Sequence, residues 1–123
     1  MLGWEELTEP ERAVWNAVET GVLVELPLSG PVTDDPVAGQ TWGQERKVRA
    51  QLLYELLTGV NGPKDARLRA LKLAGARITG TLALEAATLV CPLILQRCSF
   101  EQRINLSEAQ TLTLDLSAVA FPV

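Results

Sequence analysis

Residues 71–116 read LKLAGARITGTLALEAATLVCPLILQRCSFEQRINLSEAQTLTLDL and carry one short pattern five times. Two apolar residues separated by one other residue begin at Leu71, Leu82, Leu93, Ile104 and Leu114, at spacings of 11, 11, 11 and 10 residues. Each unit also has a second short segment that can face inward. It is marked by a small or β-branched residue five positions after the leading residue. Recurrence at a fixed interval is typical of a repeat architecture.

Within each face the inward residues lie two positions apart, which is the period of a β-strand. One unit cannot bury its inner side alone, but units stacked about 4.8 Å apart share a continuous core. We therefore expect residues 64–123 to form a short right-handed β-solenoid, four-sided if two units make one coil of about 22 residues. The expected core consists of Leu71, Leu73, Ile78, Leu82, Leu84, Leu89, Leu93, Leu95, Phe100, Ile104, Leu106, Leu114, Leu116 and Phe121.

The N-terminal half contains two patterns that are typical of helix starts. Thr8 and Glu11 form a capping box with Pro10 in the first turn, which predicts a helix from about Glu9 to Glu19. Thr41 and Gln44 form a second capping box, which predicts a helix from about residue 42 to 58.

Between these helices the sequence favours less regular structure. Val22, Val24 and Leu26 alternate with other residues as in a short strand, and prolines and glycines mark residues 27–40 as an irregular loop. The predicted fold class is accordingly α+β, with residues 1–63 as a helical cap and residues 64–123 as the repeat domain.

Length and charge limit the classes of function. A chain of 123 residues with 47% apolar content is long enough for one domain with its own core. The net charge is −4 and the isoelectric point about 4.8, which argues against a nucleic-acid partner. Residues 1–63 carry a net charge of −6, with four basic and ten acidic residues, whereas residues 64–123 carry +2.

The sequence also argues against a membrane span. No stretch approaches the roughly 20 apolar residues that a membrane-spanning helix needs. The N-terminus carries Glu5, Glu6 and Glu9 and lacks the basic and then apolar order of a signal peptide. We expect a cytoplasmic protein.

Few residues are candidates for chemistry. Cys91 and Cys98, without any histidine, make no zinc site, and Cys98 occupies a small inward position that favours a structural role. Asp34 and Asp35 are too few ligands for a cation and fit a turn better. We expect no catalytic residue, metal or cofactor, although Cys91 remains a candidate redox thiol.

Aromatic residues and the missing histidine bear on the same question. Trp4, Trp15 and Trp42 could form a ligand platform, but their positions on predicted helices favour packing against the first repeat. The absence of histidine removes the commonest general base. Enzyme activity is therefore not the favoured interpretation.

Two segments resemble a known family. The first is residues 68–92, which include LKLAGARITG at 71–80 and are followed by Leu93, Cys98 and Phe100 after Cys91-Pro92. The second is WGQERKVRA at 42–50, which precedes it. Both are similar to an actinobacterial family related to pentapeptide-repeat proteins, whose members are often labelled "membrane-associated oxidoreductase". The resemblance covers most of the chain from residue 34 onward and implies a β-solenoid and that oxidoreductase label.

Three hypotheses about function follow. The first is a non-catalytic interaction or scaffold protein that binds a protein partner or a second copy of itself. Its expected interface is the last repeat, at Leu112, Leu114, Leu116 and Phe121, because an open strand edge tends to recruit another chain. The second is the oxidoreductase that the resemblance implies. The third is a module of a larger assembly whose activity lies elsewhere.

Overall fold

The computed structural model describes residues 2–26, 43–61, 69–102, 104, 114–117 and 119–120. Within these residues there are two α-helices, α1 at Glu9–Ala17 and α2 at Ala50–Thr58, and two 3₁₀ turns at Trp4–Glu6 and Gln44–Arg46. The strands of the same residues are β1 at Leu23–Glu25, β2 at Lys47–Arg49, β3 at Leu71–Ala74, β4 at Arg77–Thr79, β5 at Leu93–Gln96, β6 at Ser99–Phe100 and β7 at Leu114–Ser117.

The strands form two parallel sheets. The first has four strands in the order β1-β3-β5-β7, and the second has three strands in the order β2-β4-β6. Successive strands along the chain alternate between the two sheets, so each parallel connection passes through the other sheet. Two neighbouring parallel strands need such a long connection, because a tight turn cannot join them.

The predicted fold class, a helical cap followed by a right-handed β-solenoid, is wrong. The structure is an α/β arrangement of two parallel sheets and two helices. The N-terminal half is not a separate helical layer, because its strands β1 and β2 pair with β3 and β4. The division of the chain between residues 63 and 64 stays a prediction.

The start of the second predicted helix explains much of this error. Val48 fits the apolar face of the predicted helix, with Lys47 and Arg49 off that face, but the structure places residues 47–49 in β2, where Val48 pairs with Ile78. Val48 is fully buried at that position. The neighbouring sheet therefore determines the backbone here, and the helix begins only at Ala50. Thr41, which opens the predicted capping box, lies outside the described residues.

The first helix and the first strand agree with the sequence. The Oγ1 of Thr8 accepts a hydrogen bond from the Glu11 N–H at 3.4 Å, and the Glu11 Oε1 accepts one from the Thr8 N–H at 3.0 Å. This is the predicted capping box. The helix ends at Ala17, two residues earlier than expected, where its carbonyl accepts hydrogen bonds from the N–H groups of Thr20 and Gly21.

The core lies between the two sheets and the helices, and it confirms the burial of most predicted core positions. The repeat residues that the structure buries are Leu71, Leu73, Ile78, Leu82, Leu84, Leu89, Leu93, Leu95 and Phe100. Ile104, Leu114 and Leu116 are half-buried, and Leu106 and Phe121 lie outside the described residues. From the N-terminal half, Val24 and Leu26 of the β1 segment join them, with four leucines of α2: Leu52, Leu53, Leu56 and Leu57.

A left-handed backbone conformation recurs at the repeat interval of 11 residues. It occurs at Gly75, with a φ of 72°, at Ala86, with 55°, and at Arg97, with 52°. Gly75 joins β3 to β4, and Arg97 joins β5 to β6. At Gly75 a Cβ atom would collide with the carbonyl oxygen of Leu26, so both the conformation and the space require glycine there.

Candidate functional site

Strand β7 is the last strand of the four-stranded sheet among the described residues. It carries two predicted interface residues, Leu114 and Leu116, in register with Leu93 and Leu95 of β5. The two β5 leucines are fully buried, whereas the two β7 leucines are only half-buried. The inward-facing leucine side chains of this sheet are therefore more exposed in β7 than in β5.

Two further apolar residues lie at this end of the core. Ile104 and Val119 are partly buried and pack against the core, as Leu114 and Leu116 do. We call these four residues the apolar rim. The other two predicted interface residues, Leu112 and Phe121, lie outside the part of the chain that the structure describes.

The main-chain groups of β7 face in two directions. The Arg97 N–H donates a hydrogen bond of 3.0 Å to the Ser117 carbonyl, so that carbonyl points toward the β5 side. Main-chain groups alternate in direction along a strand. Those of Leu116 therefore point away from β5, toward the edge of the sheet.

An ion pair joins the buried Glu11 of α1 to the partly exposed Arg49 at the end of β2. The Glu11 carboxylate is only 1% exposed and accepts hydrogen bonds from Nε and Nη2 of Arg49, each at 2.9 Å. It also accepts from the Arg49 main-chain N–H at 2.9 Å. The Nη2 of Arg49 donates in addition to the Glu6 carbonyl at 2.8 Å, so the guanidinium is held on one side by three acceptor atoms.

This pair shifts the pKa of both partners. Burial alone would raise the pKa of Glu11, but the hydrogen bonds from Arg49 and Thr8 and the Arg49 charge outweigh it and hold the pKa below 4.5. The hydrogen bond to Glu11 raises the pKa of Arg49 further above its ordinary value. Both groups are charged at neutral pH. The hydrogen bonds therefore hold the Arg49 side chain in position, and they do not prepare either group for proton transfer.

A cleft of about 500 Å³ opens beside Arg49, at the carboxyl ends of β2 and β4. Its wall is mostly apolar, and its lining residues are Arg49, Gln51, Tyr54, Thr79, Gly80, Thr81 and Ala83. A second depression of about 410 Å³ shares Arg49 and Thr79 with it and is lined also by Glu6, Thr8, Glu11 and Lys47. The two are neighbours across the Arg49–Thr79 pair.

Sequence reasoning did not find this cleft. Glu11 was recognisable as a member of the capping box, but its partner Arg49 lies 38 residues further along the chain. Tyr54 and Ala83 carry no signal in the sequence that points to a ligand. Only the pairing of β2 with β4 brings these residues together.

The two cysteines are buried thiols. Cys91 and Cys98 are free, with exposed fractions of 1% and 0%. Burial raises the pKa of the Cys91 thiol and raises that of Cys98 to about 11. Neutral, enclosed thiols are poor nucleophiles, so this geometry favours the structural role expected for Cys98 and gives no support to a redox role for Cys91.

Two of the three tryptophans lie together at the N-terminal surface. The rings of Trp4 and Trp15 meet edge to face with centroids 6.0 Å apart, and the guanidinium of Arg12 lies 5.1 Å from the Trp4 centroid. Trp15 packs against the core, so this pair is built into the fold. Trp42 lies outside the described residues.

The described residues contain neither a metal-binding cluster nor a membrane-spanning helix. Within them, no cluster of three or more carboxylate or cysteine side chains is arranged to hold a metal ion. Asp34 and Asp35 lie outside these residues. No helix of the described part is long and apolar enough to cross a membrane.

Comparison of the chain with protein-family models, with curated proteins and with solved structures finds no match in any of the three. The geometry of the residues described above is therefore the basis for assigning a function.

Proposed function

We propose that this chain is a non-catalytic interaction protein that associates with a second copy of itself through strand β7. The observation that carries the proposal is the half-exposed row of Leu114 and Leu116, in register with the fully buried Leu93 and Leu95. A second chain that covers this row would bring the last pair of leucines to the burial that the preceding pair already has.

Two kinds of interaction support the association. Main-chain groups of Leu116 point toward the edge of the sheet, where an incoming strand can pair with them. The apolar rim of Ile104, Leu114, Leu116 and Val119 supplies side chains whose remaining exposed surface can be removed from water. Backbone pairing and apolar burial thus act at the same place.

A second copy is a suitable partner because the edge can pair with itself. A twofold axis between two β7 strands makes them antiparallel and gives a closed dimer in which each chain presents the same surface. Pairing of β7 with the β1 edge of another copy would instead join two different surfaces and give rings or filaments, not a twofold dimer. We therefore propose a homodimer.

The oxidoreductase implied by the family resemblance has less support. Its candidate thiol, Cys91, is 1% exposed, and burial raises its pKa, which lowers the fraction of reactive thiolate. A purified chain that carries a coloured or nucleotide cofactor would favour this second function over the first.

The test is the solution mass of the chain by light scattering after size exclusion. We expect a dimer that becomes a monomer when Leu114 and Leu116 are both replaced by serine. The single variant Leu116→Thr is a milder test, because threonine keeps the strand preference of the backbone. Val22→Ser is the matched control, since Val22 is 59% exposed and lies outside β7.

Circular dichroism of each variant establishes that it is folded. A wild-type chain that stays monomeric at high concentration would contradict the proposal. Folded variants of Leu114 and Leu116 that remain dimeric would show that another surface holds the copies together.

A further inference from the structure

We propose that the cleft beside Arg49 binds a small amphipathic carboxylate, with its apolar body between Tyr54 and Ala83 and its carboxylate on the guanidinium of Arg49. This site is separate from the β7 edge, since none of its lining residues belongs to that strand. The inference rests on the position of the cleft, the state of Arg49 and the character of the wall.

The position of the cleft suits a ligand. Arg49 and Thr79 are paired residues at the carboxyl ends of the neighbouring parallel strands β2 and β4, and β2 continues directly into α2. In α/β proteins, ligands commonly bind outside the carboxyl ends of parallel strands. A volume of about 500 Å³ lies within the range of small-molecule sites, roughly 300–1,000 Å³.

Arg49 presents hydrogen-bond donors in a fixed direction. Its Nε and Nη2 are occupied by Glu11 and by the Glu6 carbonyl, whereas its Nη1 donates no hydrogen bond to any described residue. The Arg49 side chain is 39% exposed and lines the cleft. Because the guanidinium is already held in place, an acceptor that binds Nη1 immobilises little further side-chain freedom.

The hydrogen-bonding side chain that a ligand meets on the cleft wall is positively charged. Arg49 is the one charged residue among the described residues that line the cleft, and the carboxylates whose charges act on it, Glu11, Glu6 and Glu55, lie outside the lining. In the adjoining depression, the Nζ of Lys47 has no hydrogen bond or ion pair with a described residue. Glu11, on that side, already accepts hydrogen bonds from Arg49. A carboxylate forms stronger hydrogen bonds with a guanidinium than a neutral oxygen does.

The rest of the wall suits an apolar group. Tyr54 is 39% exposed and contributes an aromatic ring, and Ala83 is exposed and contributes a methyl group. At Gly80 an added Cβ would meet no atom within 4 Å, so the space beside this residue is open. An aromatic or branched aliphatic body fits such a surface, and an aromatic body can also contact the ring of Tyr54 edge to face.

The test is a titration of the ¹⁵N-labelled chain with 3-phenylpropionate, followed by amide chemical shifts. We expect saturable shifts at Tyr54, Thr81 and Ala83, and binding of the neutral alcohol 3-phenylpropanol weaker by about tenfold or more. Ala83→Phe and Thr81→Phe each fill the cleft from an exposed position and should abolish the shifts. Val22→Phe adds the same ring outside the cleft and should bind as wild type does.

Several outcomes would overturn the proposal. Absence of saturable shifts at these three amides would exclude the site. Equal affinity for the acid and the alcohol would exclude recognition of a carboxylate by Arg49. Unchanged binding by a Phe variant that keeps a dispersed amide spectrum would place the ligand elsewhere on the chain.

Discussion

Replacing Glu11 with glutamine tests how much its buried carboxylate, paired with Arg49, contributes to stability. The Glu11 carboxylate is 1% exposed and accepts hydrogen bonds from the main-chain N–H groups of Thr8 and Arg49 and from Nε and Nη2 of Arg49. Glutamine keeps one acceptor oxygen but turns an NH₂ group toward donors. At least one buried N–H then loses its acceptor, and the guanidinium loses its counter-charge.

The expected loss follows from these contacts. An unsatisfied buried donor costs about 1–3 kcal/mol, and a hydrogen bond to a charged group contributes about 1.5–3 kcal/mol. The Arg49 side chain is 39% exposed, so water screens the ion pair. The attraction between the two charges then contributes only about 0.2–1 kcal/mol to stability, as in surface ion pairs. Glu11→Gln should therefore lower the free energy of unfolding by about 3 kcal/mol at pH 7.

Urea denaturation followed by circular dichroism measures this loss. A slope of about 1–3 kcal/mol/M in urea converts it into a midpoint lower by about 1–3 M. Glu9→Gln is the matched control, because Glu9 lies in the same first turn of α1 but is exposed. It should lower stability by less than about 1 kcal/mol, the contribution of an acidic residue at a helix N-terminus.

The pH dependence gives an independent check. The pKa of Glu11 is lower in the folded chain than its ordinary value of 4.5, so its contribution is fully present above 4.5. It is lost as the pH falls through the lower folded pKa, because protonation then favours the unfolded state. The stability difference between wild type and Glu11→Gln should therefore shrink below pH 4.5. Equal midpoints for Glu11→Gln and Glu9→Gln at pH 7 would refute the reasoning.

Three further outcomes are expected. Leu84→Ala should lower the free energy of unfolding of the monomer by about 2–5 kcal/mol and Leu116→Ala by less than half as much, because within one chain only Leu84 is fully buried; urea denaturation at protein concentrations below that of dimerisation measures both. Gly75→Ala should destabilise the chain more than Gly80→Ala, since both have a positive φ but only Gly75 lacks space for a Cβ; equal thermal midpoints would contradict this. Cys98, whose thiol pKa is raised to about 11, should react with iodoacetamide at pH 8 only as fast as the chain unfolds, which peptide mass spectrometry can follow.

The apolar positions of the repeats were predictable because their period is short and regular. Leu71, Leu93 and Leu114 stand at the same place in their units, and the structure pairs Leu71 with Leu93 and Leu93 with Leu114. An alternating pattern determines which side chains face inward. It does not determine how the faces are connected or what else joins the sheets, and the predicted fold class was wrong in that respect.

The strands of the N-terminal half show why the prediction failed there. Val48 lies in a strand of only three residues, and so short a segment fits a helical and a strand period equally well. Its backbone partner, Ile78, lies 30 residues further along the chain, in a segment that the local sequence of β2 does not specify. The sheet therefore overrides the local helical preference that the neighbouring α2 suggests.

The two candidate sites also differ in how far the local sequence reveals them. The leucines of β7 belong to the repeat pattern, so the sequence alone pointed to them. Arg49 and Thr79 become neighbours only because two distant strands pair, and the cleft beside them is a product of that pairing. A site made of residues from different elements leaves no local pattern in the chain.

The placement of the two sites in different sheets has a consequence for the experiments. Leu116 lies in the four-stranded sheet, whereas Arg49 and Thr79 lie in the three-stranded sheet. Substitutions without shared contacts usually act independently. Leu116→Thr should therefore dissociate the dimer and leave binding of 3-phenylpropionate unchanged, and Ala83→Phe should do the reverse. If one substitution abolished both dimerisation and ligand binding in a folded chain, the ligand and the second copy would have to bind at one shared surface. That result would contradict the proposal of two separate sites.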